Sequence, residues 1–300
     1  MNPYLCLGTA QFGMNYGVTN KNSRLHLKDV CSILKYANYK SIKYLDTAQS
    51  YGNAEELIGY SDFSKKFKII SKFSFPKGNY KLSELKKILE ANLRESLSDL
   101  KVESLDALLF HNPNDLRTGF GIDILNWLKD LKNIGTLKRI GVSIYSEEDL
   151  VNLPIDFIDI IQLPISIYDQ RFLKKNIIGW LKNKNISVHV RSIFLQGIIL
   201  SDNNNFPNFL SNEFRDHHQC FLKNLKNHET DALSESLKFI KSIGDIEAIL
   251  IGISSFEDLF EIISKWEKIR SIKYKQNLNF KEFEWNSPDE LDPRKWKTSL

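Results

Sequence analysis

Short apolar runs alternate with amphipathic stretches along nearly all of this 300-residue sequence. Eight runs have the length and composition of strands. The first covers residues 4–9 and the second ends at Asp46. The other six lie near residues 67–72, 105–111, 138–143, 157–164, 186–192 and 246–252. Between them, apolar residues recur at helical spacing, as Leu85, Leu89 and Leu93 do. Strands that alternate with helices pair in parallel through right-handed crossovers. Eight of them favour an α/β fold of the closed (β/α)8 TIM barrel type over a doubly wound sheet.

We expect residues 1–300 to form a single barrel domain, because no Pro- or Ser-rich linker divides the alternation. The polar loop of residues 201–212 follows the seventh strand, so it would lie over the mouth of a barrel, either as a lid or as a tolerated surface insertion. The tail of residues 273–300 is rich in aromatic residues, including Trp285 and Trp296. That density predicts a tail that packs on the barrel.

The composition of the chain restricts the classes of molecule that it is expected to bind and the compartment in which it is expected to fold. The formal charge of +4 comes from 41 basic and 37 acidic residues spread along the chain, which does not suggest a nucleic-acid partner. Cys6, Cys31 and Cys220 are far apart, as expected for reduced thiols in a cytoplasmic protein. The N-terminus does not resemble a signal peptide, and no run approaches the roughly 20 apolar residues of a membrane span. We therefore expect a cytoplasmic protein with no membrane partner, as a monomer or weak oligomer.

Reactive side chains follow three neighbouring strands. Asp46 ends the second strand and Tyr51 follows it, while Lys72 and His111 end the third and fourth. In a barrel, the carboxyl ends of the strands meet at one face, so the four side chains would lie together. Each has a structural alternative: a helix cap for Asp46, loop packing for Tyr51, a solvated strand end for Lys72 and a core histidine for His111. These alternatives are hard to sustain for all four at once.

The four side chains suit proton donation to a carbonyl oxygen, where negative charge builds as hydride reaches the carbon. A tyrosine with a pKa near ~10 is protonated at neutral pH, and a nearby ammonium such as Lys72 lowers that pKa. Asp46 would keep Lys72 charged, and His111 would donate a second hydrogen bond that orients the substrate. The histidines form no H-x-H or H-E-x-x-H pattern, so no metal site is predicted.

Residues 46–52 read Asp-Thr-Ala-Gln-Ser-Tyr-Gly, which matches the active-site signature Asp-Thr-Ala-x-x-Tyr-Gly of the aldo-keto reductases. The sequence also resembles that family at the Lys72 and His111 strands and, in family order, at residues 139–143, 161–164, 194–197 and 251–255. The resemblance implies an NAD(P)-dependent reductase of small aldehydes or ketones, including sugar-derived carbonyls. It implies that Tyr51 is the general acid, Lys72 and Asp46 its partners, and His111 the group that orients the substrate.

The hydride must come from a cofactor, since no side chain supplies one. The resemblance implies a nicotinamide nucleotide bound without a Rossmann unit, with Ser143 and Gln162 near the carboxamide and the loop after the eighth strand near the phosphates. Ser254 and Ser255 open a predicted helix there, which suits an anion or an ordinary helix cap. The implied cofactor-binding residues are Gly8, Thr9, Ser143, Gln162, Arg191, Phe194, Gly252, Ser254 and Ser255.

The sequence departs from the family around the cofactor. Ile144 and Ile262 replace asparagines that often lie near the nicotinamide and the adenine. Arg191 takes roughly the place of an aromatic that many members stack on the nicotinamide, so Arg191 or Phe194 would stack there. No Lys or Arg lies from 251 to 261, where NADP-preferring members often carry a cation, so NADP and NAD both remain candidates. The alternative function is a catalytically weak nucleotide-binding barrel that acts as a regulatory or sensor protein.

Overall fold

The computed structural model of the chain describes residues 3–20, 24–202, 206–271 and 278–296. Eight parallel strands close into a barrel in chain order. They are β1 (Tyr4–Gly8), β2 (Tyr44–Asp46), β3 (Lys68–Phe73), β4 (Leu105–Phe110), β5 (Leu137–Ser143), β6 (Ile160–Pro164), β7 (Ser187–Arg191) and β8 (Ala248–Gly252). The barrel closes where Gly8 pairs with Gly252. The predicted (β/α)8 TIM barrel is confirmed.

Helices surround this barrel. They are α1 (Ala10–Gly13), α2 (Leu27–Tyr39), α3 (Ala54–Tyr60), α4 (Leu82–Asp99), α5 (Gly121–Asn133), α6 (Ile177–Asn183), α7 (Asn212–Asn227), α8 (Ala232–Ser242), α9 (Phe256–Ser271) and α10 (Pro288–Leu291). Their apolar stripes face the strands, and α4 buries Leu85, Leu89 and Leu93 as their spacing predicts. Between β5 and β6, the described chain forms two short 3-10 turns, Glu147–Leu150 and Ile155–Phe157, in place of an α-helix.

A polar cluster fills the barrel interior near the N-terminal ends of the strands. The Arg139 guanidinium bonds to the carboxylates of Asp106 and, at 2.8 Å, of Glu247. The hydroxyl of Tyr44 donates to Glu247, and the His189 ring lies 3.5 Å from the same carboxylate. Farther along the strands, the interior is apolar, with Cys6, Ile70, Leu109, Ile160 and Leu250 buried there. The interior is thus packed with side chains, which leaves the C-terminal face for ligands.

The described part of the tail, residues 278–296, contacts α7 and the barrel. The Trp285 ring stacks on Phe214 at 4.9 Å, and its backbone N–H donates to the Tyr168 carbonyl at 2.9 Å. Phe280 and Phe283 are buried. The rest of the predicted tail, 273–277 and 297–300, lies outside the described residues, as do 203–205 of the predicted loop. None of the described helices is both long and apolar enough to span a membrane.

Candidate active site

Four predicted catalytic side chains meet at the C-terminal ends of β2, β3 and β4. The Lys72 ammonium donates to the Asp46 carboxylate and, at 3.0 Å, to the Thr47 carbonyl. It also lies 3.5 Å from the hydroxyl oxygen of Tyr51. The rings of Tyr51 and His111 face each other edge-on, with centroids 5.9 Å apart. The phenol, the ammonium, the carboxylate and the imidazole therefore form one group.

Asp46 and Lys72 form a buried ion pair. Their side chains are only 3% and 1% exposed, respectively. The second carboxylate oxygen of Asp46 accepts a hydrogen bond from the Gln162 side-chain amide at 2.8 Å, so both oxygens are engaged. Burial opposes the charge on Lys72, but attraction to Asp46, together with Tyr51 and the hydrogen bonds that Lys72 makes to both, outweighs burial and raises the Lys72 pKa. Lys72 thus stays protonated at any physiological pH.

Burial also dominates the titration of Tyr51. It raises the pKa of the phenol, while the nearby Lys72 charge acts in the opposite direction. Lys72 therefore has the direction of effect that the sequence predicted, but the net pKa of Tyr51 lies above its ordinary value. The phenol carries its proton throughout the physiological pH range.

The His111 ring is uncharged at physiological pH. Burial, followed by the charges of Lys72 and Arg191, lowers its pKa to about 3. Its Nδ1 atom lies 3.3 Å from the Ser50 hydroxyl oxygen. A neutral imidazole has one donor and one acceptor nitrogen, so His111 can donate a hydrogen bond without adding a charge.

Two glycines fix the turn that carries Tyr51. Gly52 has a φ of +57°, a conformation that favours glycine. A Cβ atom at Gly52 would lie 2.3 Å from the Gly13 carbonyl oxygen, and one at Gly13 would lie 1.8 Å from the Tyr51 carbonyl oxygen. Helix α1 thus rests directly on the Tyr51 turn. Gly13 was not among the predicted site residues, since only the fold brings the two loops together.

Glu55 is a second supporting residue that was not predicted. Its two carboxylate oxygens accept hydrogen bonds from the hydroxyls of Ser71, at 2.6 Å, and Ser96, at 2.8 Å. Burial raises the Glu55 pKa, and these two hydrogen bonds oppose the rise. The contacts tie α3, directly after the Tyr51 turn, to β3 and α4. An acidic residue in the first turn of a helix gives no sequence signal of such a network.

A cavity of about 670 Å³ opens beside Tyr51 at the C-terminal face. Its lining includes Asp46, Tyr51 and seven predicted cofactor-binding residues: Gly8, Thr9, Gln162, Arg191, Phe194, Gly252 and Ser254. Ser143 and Ser255 are not part of this lining. A Cβ atom at Gly252 would meet no atom within 4 Å, so the backbone there is open to a ligand. Cofactor sites span roughly 300–1,000 Å³, so a nicotinamide nucleotide fits this cavity in size.

Acidic side chains border the cavity near the start of α9. Asp258 and Glu261 line it, and so does Asp202. The carboxylate of Asp258 accepts hydrogen bonds from the Ser254 backbone N–H at 2.7 Å and from the Ser254 hydroxyl at 2.8 Å. The Ser254 groups that the sequence suggested for an anion therefore already bind a carboxylate.

Arg191 lies at the end of β7 and also lines the cavity. Its guanidinium donates to the Ile144 carbonyl at 2.8 Å and to the Ser192 hydroxyl at 3.2 Å. It covers the Tyr145 ring at 3.8 Å, and the Arg294 guanidinium lies 3.7 Å from the same ring centre. Because both guanidinium groups lie so near the centre of the Tyr145 ring, Arg191 and Arg294 must occupy opposite faces of that ring. The tail therefore reaches the rim of the site through Arg294.

Comparisons with known proteins agree with this geometry. A sequence model described as the Aldo/keto reductase family matches residues 4–276. A provisionally assigned aldo-keto reductase from Pseudomonas aeruginosa is 15% identical, with a TM-score of 0.65 over 90% of this chain and 91% of that one. The glycerol dehydrogenase of Gluconobacter oxydans is 19% identical, with a TM-score of 0.66 over 93% and 88%. At these identities the two structures establish the fold alone. A comparison with curated proteins found no match.

Proposed function

The chain belongs to the aldo/keto reductase family, and on that premise we propose that it reduces an aldehyde or ketone to an alcohol with a nicotinamide nucleotide. Tyr51 is the proposed general acid. The observation that carries the proposal is the position of the Tyr51 hydroxyl, 3.5 Å from a buried ammonium that Asp46 keeps charged. A sensor protein that only binds nucleotide has no chemical need for that arrangement.

The proposed reaction adds hydride to the carbonyl carbon and a proton to its oxygen. When bound, the reduced nicotinamide supplies the hydride and is left oxidised. Tyr51 gives up the proton, and the positive charge of Lys72 stabilises the tyrosinate that forms. Tyr51 is protonated before each turnover, and the charge of Lys72 opposes the burial that would make the phenol a weaker acid. Water restores the proton after the alcohol leaves.

His111 is proposed to orient the carbonyl oxygen. Its Nδ1 atom contacts Ser50, which leaves Nε2 as the nitrogen for the substrate. The His111 pKa of about 3 supports hydrogen bonding rather than proton transfer, because the ring stays neutral at physiological pH whether the carbonyl is reduced or the alcohol is oxidised.

The residues that line the cavity would hold the nucleotide, among them Gly8, Thr9, Gln162, Phe194, Gly252 and Ser254. We propose that NADH is preferred over NADPH. Asp258 and Glu261 line the cavity near α9, and Arg191 is the one Lys or Arg within the described lining. A 2′-phosphate would meet carboxylates there, whereas a ribose hydroxyl can donate to them.

Titration of the purified protein with NADH and, separately, NADPH tests the proposal through the fluorescence of the reduced nicotinamide. A panel of aldehydes and sugar-derived carbonyls is then added. We expect tighter binding of NADH, followed by loss of the signal as a carbonyl is reduced. Failure of both nucleotides to bind would contradict the cofactor, while binding without consumption across a broad panel would favour the sensor function.

A further inference from the structure

The charged side chains near Tyr51 pair with one another, except at Arg191. Lys72 pairs with Asp46, and the Arg294 guanidinium binds both carboxylate oxygens of Asp292, at 3.0 and 2.6 Å. In contrast, Arg191 has no carboxylate within 4.0 Å among the residues that the structure describes. Because His111 is neutral, these five charged groups sum to one positive charge, while the acidic side chains of the same cavity lie near α9 and Arg191 also acts on the Asp292 carboxylate.

The Arg191 guanidinium is held in a fixed orientation. The carbonyl of Ile144 and the hydroxyl of Ser192 accept two of the five N–H groups that a guanidinium carries. The Tyr145 ring supports one face of its plane, and Arg294 lies on the far side of that ring. A preorganised guanidinium loses little rotamer entropy on binding a carboxylate or phosphate through two parallel hydrogen bonds.

Arg191 is close enough to act on the catalytic groups. It shares the cavity with Tyr51. Its charge is also among the causes, after burial and Lys72, that lower the pKa of His111. A ligand that occupies this cavity beside Tyr51 is therefore exposed to the positive charge of Arg191.

We propose that the substrate is a carbonyl compound that also carries a carboxylate or phosphate group, and that Arg191 binds this anion. This inference rests on the proposed reductase function and adds the charge of its substrate. The pyrophosphate of the nucleotide has the same chemistry, so the test must separate the two anions.

The experiment compares two aldehydes of similar shape, the anionic 4-carboxybenzaldehyde and its uncharged methyl ester, methyl 4-formylbenzoate. We expect the parent protein to favour the carboxylate by about tenfold or more in kcat/KM, as charged hydrogen bonds allow, and the preference to shrink with added salt. Arg191→Gln should remove most of that preference, and Arg191→Lys should keep part of it. Arg94→Gln, which removes an exposed arginine of α4, is the control for net charge.

A binding measurement accompanies the kinetics, because it does not require turnover. Benzoate and the uncharged benzamide are titrated into the NADH complex, with nicotinamide fluorescence as the signal. We expect benzoate to bind about tenfold more tightly than benzamide in the parent and with nearly equal affinity in Arg191→Gln. Preference for benzoate without aldehyde consumption would support the anion site while counting against the reductase.

Two results would overturn the inference. The first is consumption of both aldehydes with equal kcat/KM by the parent, which would leave the reductase intact. The second is a fall in kcat/KM that is equal for the two aldehydes in Arg191→Gln, together with a matching rise in the Kd for NADH. That pattern would mean that Arg191 binds the nucleotide pyrophosphate.

Discussion

At the residue scale, the hydroxyl group of Tyr51 is the atom on which the proposed reaction depends. Tyr51→Phe keeps the ring and removes the proton, so we expect kcat to fall by about 10²–10⁴-fold, the range for general acids, with little change in NADH affinity. Tyr60→Phe, at an exposed tyrosine at the end of α3, is the matched control. Stopped-flow and fluorescence measurements separate turnover from binding. Normal turnover by Tyr51→Phe would exclude it as the acid.

Lys72 has both a chemical and a structural role at this scale. Lys72→Met leaves the Asp46 carboxylate buried without its cation, which costs about 3–5 kcal/mol of unfolding free energy for a pair as buried as this one. The double variant Asp46→Asn with Lys72→Met should regain part of that loss but none of the activity. Urea unfolding of the single and double variants measures it. Equal stability of both variants and the parent would contradict the buried pair.

The sequence predicted Asp46, Tyr51, Lys72 and His111 because each one follows a recognisable strand, and strand ends share one face of a barrel. It did not predict the net rise in the Tyr51 pKa, since burial depends on packing from distant segments. Arg294 was also missed, because a tail residue reaches the Tyr145 ring only through the fold.

At the element scale, helix α1 and the Tyr51 turn are in contact through Gly13 and Gly52. We expect Gly13→Ala to destabilise the fold by about 1–3 kcal/mol through overpacking and to lower kcat by up to about 10²-fold by displacing Tyr51. Gly244→Ala is the control, since a Cβ atom there meets no atom within 4 Å. Thermal unfolding and steady-state kinetics test both variants. Unchanged kcat in Gly13→Ala would mean that the contact does not position Tyr51.

The proposed preference for NADH rests on the start of α9. Glu261→Lys replaces a carboxylate of the lining with a cation, so the affinity for NADPH should rise by roughly tenfold or more relative to NADH. Glu257→Lys makes the same charge change one turn earlier on α9, at a residue outside the cavity lining. Fluorescence titration of both variants gives the Kd ratio. An identical ratio in the two variants would show that only net charge matters.

The predicted strands closely match those of the structure, because an apolar run that turns into a polar one fixes a strand end. The connection between β5 and β6, which forms 3-10 turns, is a segment whose structure the hydrophobic pattern does not predict. Asp149 there accepts the backbone N–H groups of Tyr145 and Ser146, at 2.8 and 3.1 Å, and these side-chain contacts replace a helix. Hydrophobic periodicity carries no signal for contacts of this kind.

At the scale of the whole molecule, the polar cluster inside the barrel links stability to pH. Burial alone would raise the pKa of Glu247, but the nearby His189 ring, hydrogen bonds from Tyr44 and Ser187, and the charge of Arg139 together outweigh it and lower the pKa. A carboxylate whose pKa is lowered by folding stabilises the protein above the unfolded pKa, near ~4.3, and loses that contribution as pH falls below it. His189 acts in the same direction, since burial lowers its pKa and disfavours protonation in the folded state.

We therefore expect the unfolding free energy to decline from about pH 6 and to fall more steeply below about pH 4. Glu247→Gln should be less stable than the parent at pH 7, because Arg139 loses a charged partner, but its stability should depend less on pH below 4. Urea unfolding at pH 7, 5 and 3 measures both slopes, with Glu267→Gln on the outer surface as the control. Parallel pH profiles for Glu247→Gln and the parent would show that the acid sensitivity arises elsewhere in the barrel.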